Sequence, residues 1–211
     1  ADTGTCSFGC QANCTCAPAP RCGDGVVNQA SEQCDGAANA TCPGGCQANC
    51  TCTPASSGVS AAVVADTSVR VASPTTNYGT SSGLDIDADT AKLTFLRINV
   101  SGIGTRSVAS AKLRLFVPNS SGNESVQGGR IHTMSAVNCT WGEGTVTWNT
   151  KPAIDGPVIS SLGAVGLGQT VEFDITSAVH DGTFCLGIDS TSSDNVRYAS
   201  REAASGKPVV V

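Results

Sequence analysis

The distribution of cysteine constrains this chain of 211 residues more than any other feature of its sequence. Ten of the 12 cysteines fall within the first 52 residues, where Phe8 is the only aromatic side chain. A stretch with so few large apolar residues cannot bury a sizeable core, and disulfides take over that role in small secreted domains. Disulfides persist in oxidising compartments, so we expect an extracellular or cell-surface protein, in its mature form after removal of a signal peptide.

The heptapeptide CQANCTC orders this zone, because it occurs at 10–16 and again at 46–52. The second copy is preceded by a stretch with Cys22 and Cys34, which the first copy lacks. Since each copy retains an even number of cysteines, we predict that Cys22 pairs with Cys34 and that each four-cysteine block closes on itself, with a connectivity that the sequence leaves open. The two blocks are Cys6, Cys10, Cys14 and Cys16, and Cys42, Cys46, Cys50 and Cys52. A zinc site is the alternative, but the zone contains no histidine.

The segments CGDG at 22–25 and CDG at 34–36 resemble the myxobacterial-type disulfide repeat, a family of secreted cysteine-rich units. The resemblance covers about residues 21–52 and implies a small unit closed by disulfides. We therefore divide the N-terminal arm into a truncated repeat at 1–20 and a full repeat at 21–54.

Alternation of apolar and polar residues begins beyond a linker of small residues at 55–62. In AKLRLFV (111–117) four apolar residues share one face of a strand, namely Ala111, Leu113, Leu115 and Val117. The same period of two recurs in TFLRINV (94–100) and TVEFDIT (170–176). Such segments, separated by Gly, Ser, Asn and Pro, predict antiparallel strands with one buried face. We therefore predict an all-β fold, with a jelly-roll-like β-sandwich at 63–211 preceded by a small, disulfide-rich, loop-dominated arm.

Four motifs follow one another in this second zone: ADTSVR (65–70), SPTTNYGT (73–80), WGEGTVTWNTKP (141–152) and SDNVRYASREA (193–203). Their order resembles the DNRLRE domain family, which is close to family 96 of the carbohydrate-binding modules, over about residues 63–211. The resemblance implies a β-sandwich of secreted, often multidomain proteins, some of which bind acidic polysaccharide. The segment that gives the family its name departs here, because it reads DNVRYASRE at 194–202. Tyr78, Tyr198 and Arg201 are candidate ligand contacts, with a turn anchor and an internal ion pair as the structural alternatives.

Two pairs of residues in this zone have structural interpretations. Trp141 and Trp148 flank a Gly-Glu-Gly turn, and we expect both rings in the core, since sugar binding would need exposed rings with polar neighbours. Cys139 and Cys185 are expected to form a bridge, with buried thiols as the alternative.

Two groups of polar residues carry the oxygen ligands that suit a structural calcium ion. The first group lies in the arm and consists of Asp24, Asn28 and Asp35. Its alternative is turn formation by Asp-Gly and Asx caps. The second group alternates along a predicted strand and consists of Asp85, Asp87 and Asp89. Because three like charges on one face repel one another, we expect a solvated strand edge there, with calcium as the alternative.

The sequence shows no pattern of catalytic residues. His132 and His180 have no GxSxG or HExxH motif nearby, and the spacing of Glu143 and Asp174 suggests no acid/base pair. We therefore expect no enzymatic activity and no required cofactor. The net charge of −5 argues against a nucleic-acid partner, and the absence of an apolar run of about 18 residues argues against a membrane span.

Asn-x-Ser/Thr sequons are more frequent than composition would produce by chance, at Asn13, Asn39, Asn49, Asn99, Asn119, Asn123 and Asn138. Exposed sequons of an exported protein accept covalent glycans, so we predict a glycoprotein. Three of the seven have Cys as the middle residue, which makes them poorer acceptors if that cysteine is bridged.

Two functions fit these features better than an enzyme does. We expect a structural subunit of a secreted fibre, sheath or surface assembly that self-associates through its N-terminal arm. Gly58–Val71 is long and apolar and is predicted to add to the sheet of a neighbouring subunit. The alternative is a stand-alone carbohydrate-binding module that recognises an acidic polysaccharide.

Overall fold

A computed structural model describes residues 21–27, 32–35, 42, 45–52 and 58–211 and divides the chain into two compact units, Ala1–Ser57 and Gly58–Val211. The ten strands of the second unit are β1 (Ser60–Arg70), β2 (Gly83–Ile86), β3 (Lys92–Ser101), β4 (Lys112–Phe116), β5 (Gly129–Thr133), β6 (Val158–Leu162), β7 (Thr170–Asp174), β8 (Gly182–Asp189), β9 (Val196–Ala199) and β10 (Val209–Val210). Its helical segments are short 3-10 turns at Ala136–Cys139, Trp148–Thr150 and Thr176–Ala178. The prediction of an all-β, sandwich-like fold, preceded in the sequence by a disulfide-rich N-terminal region, is confirmed.

All the strands pair antiparallel in three sheets, with the orders β1-β3-β8-β5-β6, β10-β4-β7 and β2-β9. β1 lies at one edge of the five-stranded sheet and pairs with β3 along its length, with a bulge between Val63 and Ala65. It begins at Ser60, so the last residues of the predicted linker at 55–62 belong to the sandwich. The inner edge of β1 is already paired with β3, so a neighbouring subunit could pair only with its outer edge.

The period-two pattern builds the main core between the sheets. Leu96, Ile98 and Leu186 on one face of the five-stranded sheet lie in the same apolar cluster as Leu113 and Phe173 of the three-stranded sheet. All five side chains are 0% exposed. Full burial of such a side chain contributes about 1.5–3 kcal/mol. Both smaller sheets join the same apolar cluster, so the sandwich closes around one continuous core.

The opposite face of the five-stranded sheet is covered by the long β5–β6 connection, residues 134–157, which we call the covering loop. Its Trp141 packs on Phe95 of β3 with ring centroids 6.1 Å apart, in a second apolar cluster. A disulfide joins Cys139 of the covering loop to Cys185 of β8, so the pair predicted to bridge is bridged. The loop also requires Gly187 beneath it, because a Cβ there would lie 2.6 Å from Ile154.

The N-terminal unit has a different disulfide pairing from the predicted one. The bridges among its described residues are Cys22–Cys50, Cys34–Cys46 and Cys42–Cys52. The prediction that Cys22 pairs with Cys34 is therefore wrong, and the block at 42–52 closes only one bridge on itself. The first copy of the repeat lacks the counterparts of both Cys22 and Cys34, which keeps its number of cysteines even. An even number does not require that these two cysteines pair with each other. Cys6, Cys10, Cys14 and Cys16 lie outside the described residues.

Candidate functional site

Three connections between strands come together in the sandwich: residues 71–82, the covering loop and residues 200–208. The Asn77 side-chain amide donates to the Glu143 carbonyl at 2.8 Å, and the Asn149 backbone amide donates to the Pro74 carbonyl at 3.0 Å. Gly79 packs so closely that a Cβ would lie 2.1 Å from the Glu143 carbonyl oxygen. We call this arrangement the loop cluster, and it fixes side chains from distant parts of the sequence in one place.

Two aromatic rings of the loop cluster are half-buried, and a cationic side chain lies over each of them. The Arg70 guanidinium lies 4.1 Å from the ring centroid of Tyr78, and the Lys151 ammonium lies 4.0 Å from that of Trp148. Such contacts stabilise the cation over the electron-rich face of the ring. Arg70 is also paired with Asp85 at 2.6 Å. The Lys151 ammonium donates to the Trp148 carbonyl at 3.3 Å and has no carboxylate partner among the described residues.

The missing partner of Lys151 is informative because most cations of this acidic protein are paired. Seven of the 12 Lys and Arg side chains form ion pairs with described carboxylates: Arg70, Lys92, Lys112, Arg114, Arg130, Arg197 and Arg201. Lys151 therefore offers a positive charge that no described carboxylate neutralises, beside a partly exposed indole ring. Sequence reasoning placed Trp148 in the core, and its ring does pack, partly buried, against the second apolar cluster, but that reasoning missed the contact with Lys151. A lysine three residues after a tryptophan in a turn is the local signal that was available.

The carboxylate of Asp66 on β1 lies beside three charged side chains of the loop cluster, those of Glu143, Arg201 and Glu202. Arg201 Nη1 is 3.0 Å and 3.2 Å from the two carboxylate oxygens of Glu143 and 3.5 Å from Glu202 Oε1. The Arg201 backbone amide donates to Asp66 Oδ2 at 2.8 Å, and the Asp66 amide donates to Glu143 Oε1 at 2.7 Å. Burial raises the pKa of Asp66 to about 7 against the effect of the Arg201 amide, and the charge of Glu202, a hydrogen bond with the Glu202 side chain and the charge of Glu143 raise it further. Arg201 thus forms the internal ion pair that was the alternative to a ligand contact.

Tyr198, another predicted ligand contact, lies in the core. Its side chain is 0% exposed, its ring meets Phe173 edge-on at 6.4 Å, and its hydroxyl donates to the Gly128 carbonyl at 2.7 Å. Burial raises the pKa of the phenol above its usual value. Tyr198 cannot touch a ligand in this position, so that prediction is wrong. Strand alternation explains the placement, because Tyr198 and Val196 of β9 are both 0% exposed and belong to the main core cluster.

The aspartates of the DIDAD segment are not a solvated edge, which corrects the prediction for Asp85 and Asp87. They are 5% and 6% exposed, and cations from other strands neutralise them. Arg197 Nη1 lies 2.9 Å from Asp85, and Lys92 lies 3.2 Å from Asp87. Burial opposes ionisation of Asp87, yet hydrogen bonds from neighbouring groups hold its pKa below the usual value. Asp89 is exposed, and the three carboxylates do not come within ligand distance of one another as one group among the described residues.

Two of the candidate calcium ligands of the arm, Asp24 and Asp35, accept backbone amides. Asp35 Oδ2 accepts the backbone amides of Gly23 and Asp24 at 2.9 and 3.0 Å, and Asp24 Oδ1 accepts the Val26 amide at 3.0 Å. The contact of Asp24 is an Asx turn, as in the turn-forming alternative, whereas Asp35 binds backbone amides 11 and 12 residues away in the sequence. Asn28 lies outside the described residues.

The predicted glycan acceptors differ in exposure. Asn49, Asn99 and Asn119 are exposed, while Asn138 is half-buried. Asn123 is 9% exposed, and its side-chain nitrogen donates to the Pro118 carbonyl at 3.3 Å. Because that nitrogen would carry the glycan, its burial argues against a glycan at Asn123 in the folded protein. Asn13 and Asn39 lie outside the described residues.

The comparisons with known proteins agree with the fold. The family model described as carbohydrate-binding module family 96 matches residues 58–211, which is the whole of the second unit. No curated protein matches the chain. In the part of the chain that the structure describes, no helix is long and apolar enough to cross a bilayer. Since the family match covers most of its length, the chain belongs to carbohydrate-binding module family 96.

Proposed function

We propose that this chain is a non-catalytic extracellular protein that binds an anionic polysaccharide on the loop cluster, through Tyr78, Trp148 and Lys151. The observation that carries the proposal is the Lys151 ammonium, 4.0 Å from the ring centroid of Trp148 and without a carboxylate partner among the described residues. Membership of a carbohydrate-binding family supports the ligand class.

The chemistry of the Trp148–Lys151 pair suits a sugar acid. The carboxylate of a sugar acid accepts charge-assisted hydrogen bonds from an ammonium group, and the C–H groups of a pyranose pack on the exposed part of an aromatic ring. The Lys151 ammonium already lies against one face of the Trp148 ring, so little side-chain entropy is lost when a carboxylate binds to it. Tyr78 lies on the neighbouring connection, and the Asn149–Pro74 hydrogen bond fixes that connection beside the Trp148 turn.

The contacts of the two histidines support a non-catalytic role. His132 uses both ring nitrogens, with Asp189 at 3.0 Å and the Gly156 carbonyl at 3.2 Å. His180 Nδ1 lies 2.8 Å from the Asp181 carbonyl oxygen. A general base needs a nucleophile within hydrogen-bond reach, and neither set of contacts includes one.

Affinity electrophoresis in gels that contain a neutral glucan, a polyuronate or a sulfated polysaccharide tests the proposal. We expect the polyuronate or the sulfated polymer to retard the full chain, and Trp148→Ala and Lys151→Ala to weaken that retention by about tenfold, which corresponds to about 1.4 kcal/mol. Lys112→Ala is the matched control, because Lys112 is paired with Asp174 on the three-stranded sheet and its loss should leave retention unchanged. Equal mobility in all gels, or full retention of both loop variants, would overturn the proposal.

A structural subunit of an extracellular assembly is the second candidate function. The observation that favours it is the edge position of β1, an 11-residue strand whose outer side pairs with no described strand. Unpaired backbone groups of such an edge can pair with another chain. Electron microscopy of the native material should show filaments that are lost in Val64→Lys, since Val64 is 42% exposed on β1. Filaments that persist in this variant would show that the edge is not the contact.

Exposed sequons favour covalent glycans on Asn99 and Asn119. Asn99 faces solvent on β3, and Asn119 lies in an exposed turn beyond β4. Asn49 is exposed, but the middle residue of its sequon, Cys50, is bridged. We expect the intact mass of the native protein to exceed the sequence mass and to fall after treatment with an N-glycosidase. A mass equal to that of the disulfide-bonded chain would contradict this.

A further inference from the structure

The carboxylates of Asp66, Glu143 and Glu202 form a group that the proposed sugar contacts do not use. One oxygen from each residue lies within 4.8 Å of the others. The three residues come from β1, the covering loop and the β9–β10 connection, so the fold rather than local sequence brings them together. A cluster of acids alone is common, and this one is distinguished by the burial of Asp66 and by its carboxylate oxygen that lacks a hydrogen-bond partner.

Asp66 is 1% exposed, and its Oδ1 atom has no hydrogen-bond partner among the described residues. Its other oxygen, Oδ2, accepts the Arg201 backbone amide. An unsatisfied carboxylate oxygen away from water costs several kcal/mol in general, so a buried one is expected to have a partner of some kind. In this place the partner has to be a cationic or protonated group, because the side chains that face Asp66 include two further acids.

The charges in the cluster do not balance. Three carboxylates face one guanidinium, that of Arg201, which lies against Glu143 and reaches Glu202 at 3.5 Å. Two negative charges therefore remain when all three acids are ionised. One divalent cation would neutralise the cluster without displacing Arg201 from Glu143.

The spacing suits calcium. Ca²⁺ binds oxygen at about 2.3–2.6 Å, so two ligands on opposite sides of the ion are about 4.6–5.2 Å apart. Three oxygens that lie within 4.8 Å of one another fit inside one such shell. Mg²⁺ demands shorter bonds and near-ideal octahedral geometry, which three carboxylates from separate connections meet less readily.

We propose that Asp66, Glu143 and Glu202 bind a divalent cation of the calcium type, and that this ion ties β1, the covering loop and the β9–β10 connection together. The ion would occupy the side of the cluster away from Arg201, with the orphaned Asp66 oxygen as its buried ligand. Remaining coordination positions would be filled by water, as is usual for calcium.

The test measures calcium binding and thermal stability on the full chain after removal of metal with a chelator. At about pH 8, where the carboxylates are ionised, we expect titration calorimetry to detect calcium binding and millimolar calcium to raise Tm by about 5 °C or more. Glu202→Gln should lose most of both effects. This variant is expected to fold, because Glu202 is exposed.

Glu172→Gln is the matched control, because it also removes one exposed acid, from the ion pair with Arg114 on the three-stranded sheet. It should retain the calcium response of the wild type. A wild-type Tm that is insensitive to calcium would overturn the proposal, as would a calcium response that survives in both Glu202→Gln and Asp66→Asn. In the first case Asp66 has a proton as its partner instead of a metal ion.

Discussion

At the scale of single residues, neighbouring charges decide what a buried acid does in this protein. Asp85 is buried between Arg70 and Arg197, so its charge is matched from both sides. Asp66 is equally buried, but it faces Glu143 and Glu202 and receives only a backbone amide from Arg201. The sequence could not distinguish these two aspartates, because their partners lie far away in the chain and are selected by strand pairing.

Replacing Tyr198 by Phe tests whether this residue acts in the core or contacts a ligand. Tyr198→Phe removes the hydrogen bond to the Gly128 carbonyl and leaves a buried acceptor without this donor, so the free energy of unfolding should fall by about 1–3 kcal/mol. Urea denaturation measures this loss. Affinity for polysaccharide should not change, and a variant with wild-type stability but reduced affinity would show that the tyrosine touches ligand after all.

The raised pKa of Asp66 predicts an unusual dependence of stability on pH when no metal is bound. Its pKa is about 7 in the folded protein and about 4 when unfolded, so between these values the folded state holds a proton that the unfolded state has released. The free energy of unfolding should therefore fall as pH rises from about 4 to about 7 and then level off. At lower pH the trend reverses, because hydrogen bonds from Ser135 lower the pKa of Asp155 to about 2 and its ionisation favours the folded state.

Urea denaturation at a series of pH values in the presence of a chelator measures this profile. Asp66→Asn should flatten it between about pH 4 and 7, since the asparagine does not titrate. If the decline persists in the variant, another group that faces the site is responsible, and Glu143 and Glu202 are then the residues to test.

At the scale of elements, the alternation of residues predicted the strands well and the connections poorly. AKLRLFV and TVEFDIT contain β4 and β7, because a strand with one buried face shows its pattern locally. The covering loop has no such period. Its position depends on the Cys139–Cys185 bridge and on packing over Gly187, and both are long-range contacts.

Gly79 and Gly144 provide a matched test of how the loop cluster is held. A Cβ at Gly79 would lie 2.1 Å from a backbone oxygen of Glu143, which cannot move without shifting the covering loop, while a Cβ at Gly144 meets nothing within 4 Å. We expect Gly79→Ala to lower the free energy of unfolding by about 1–3 kcal/mol and to weaken polysaccharide binding. Gly144→Ala should change neither by more than about 0.5 kcal/mol. Equal behaviour of the two variants would mean that the contact at Gly79 does not position the site.

At the scale of the whole molecule, the sequence predicted two zones with different means of stabilisation. The 58–211 unit buries a continuous core, whereas three bridges close the described part of the arm. The even cysteine count predicted the presence of disulfides but not their partners, because parity holds for any complete pairing. The spacing of Trp148 and Lys151 was visible in the sequence, but it did not show that they form a surface pair, since the core and the surface both accept a tryptophan with a polar neighbour.

Chemical-shift mapping by NMR tests the central claim most directly, because it locates the ligand on the folded chain. Addition of polyuronate oligosaccharide to the isotope-labelled full chain should shift the Trp148 indole N–H and the backbone amides of 73–80 and 146–152. The outward-facing residues of β4 and β7 should remain unaffected. Shifts confined to those strands or to the arm, or no shifts at saturating oligosaccharide, would contradict the account.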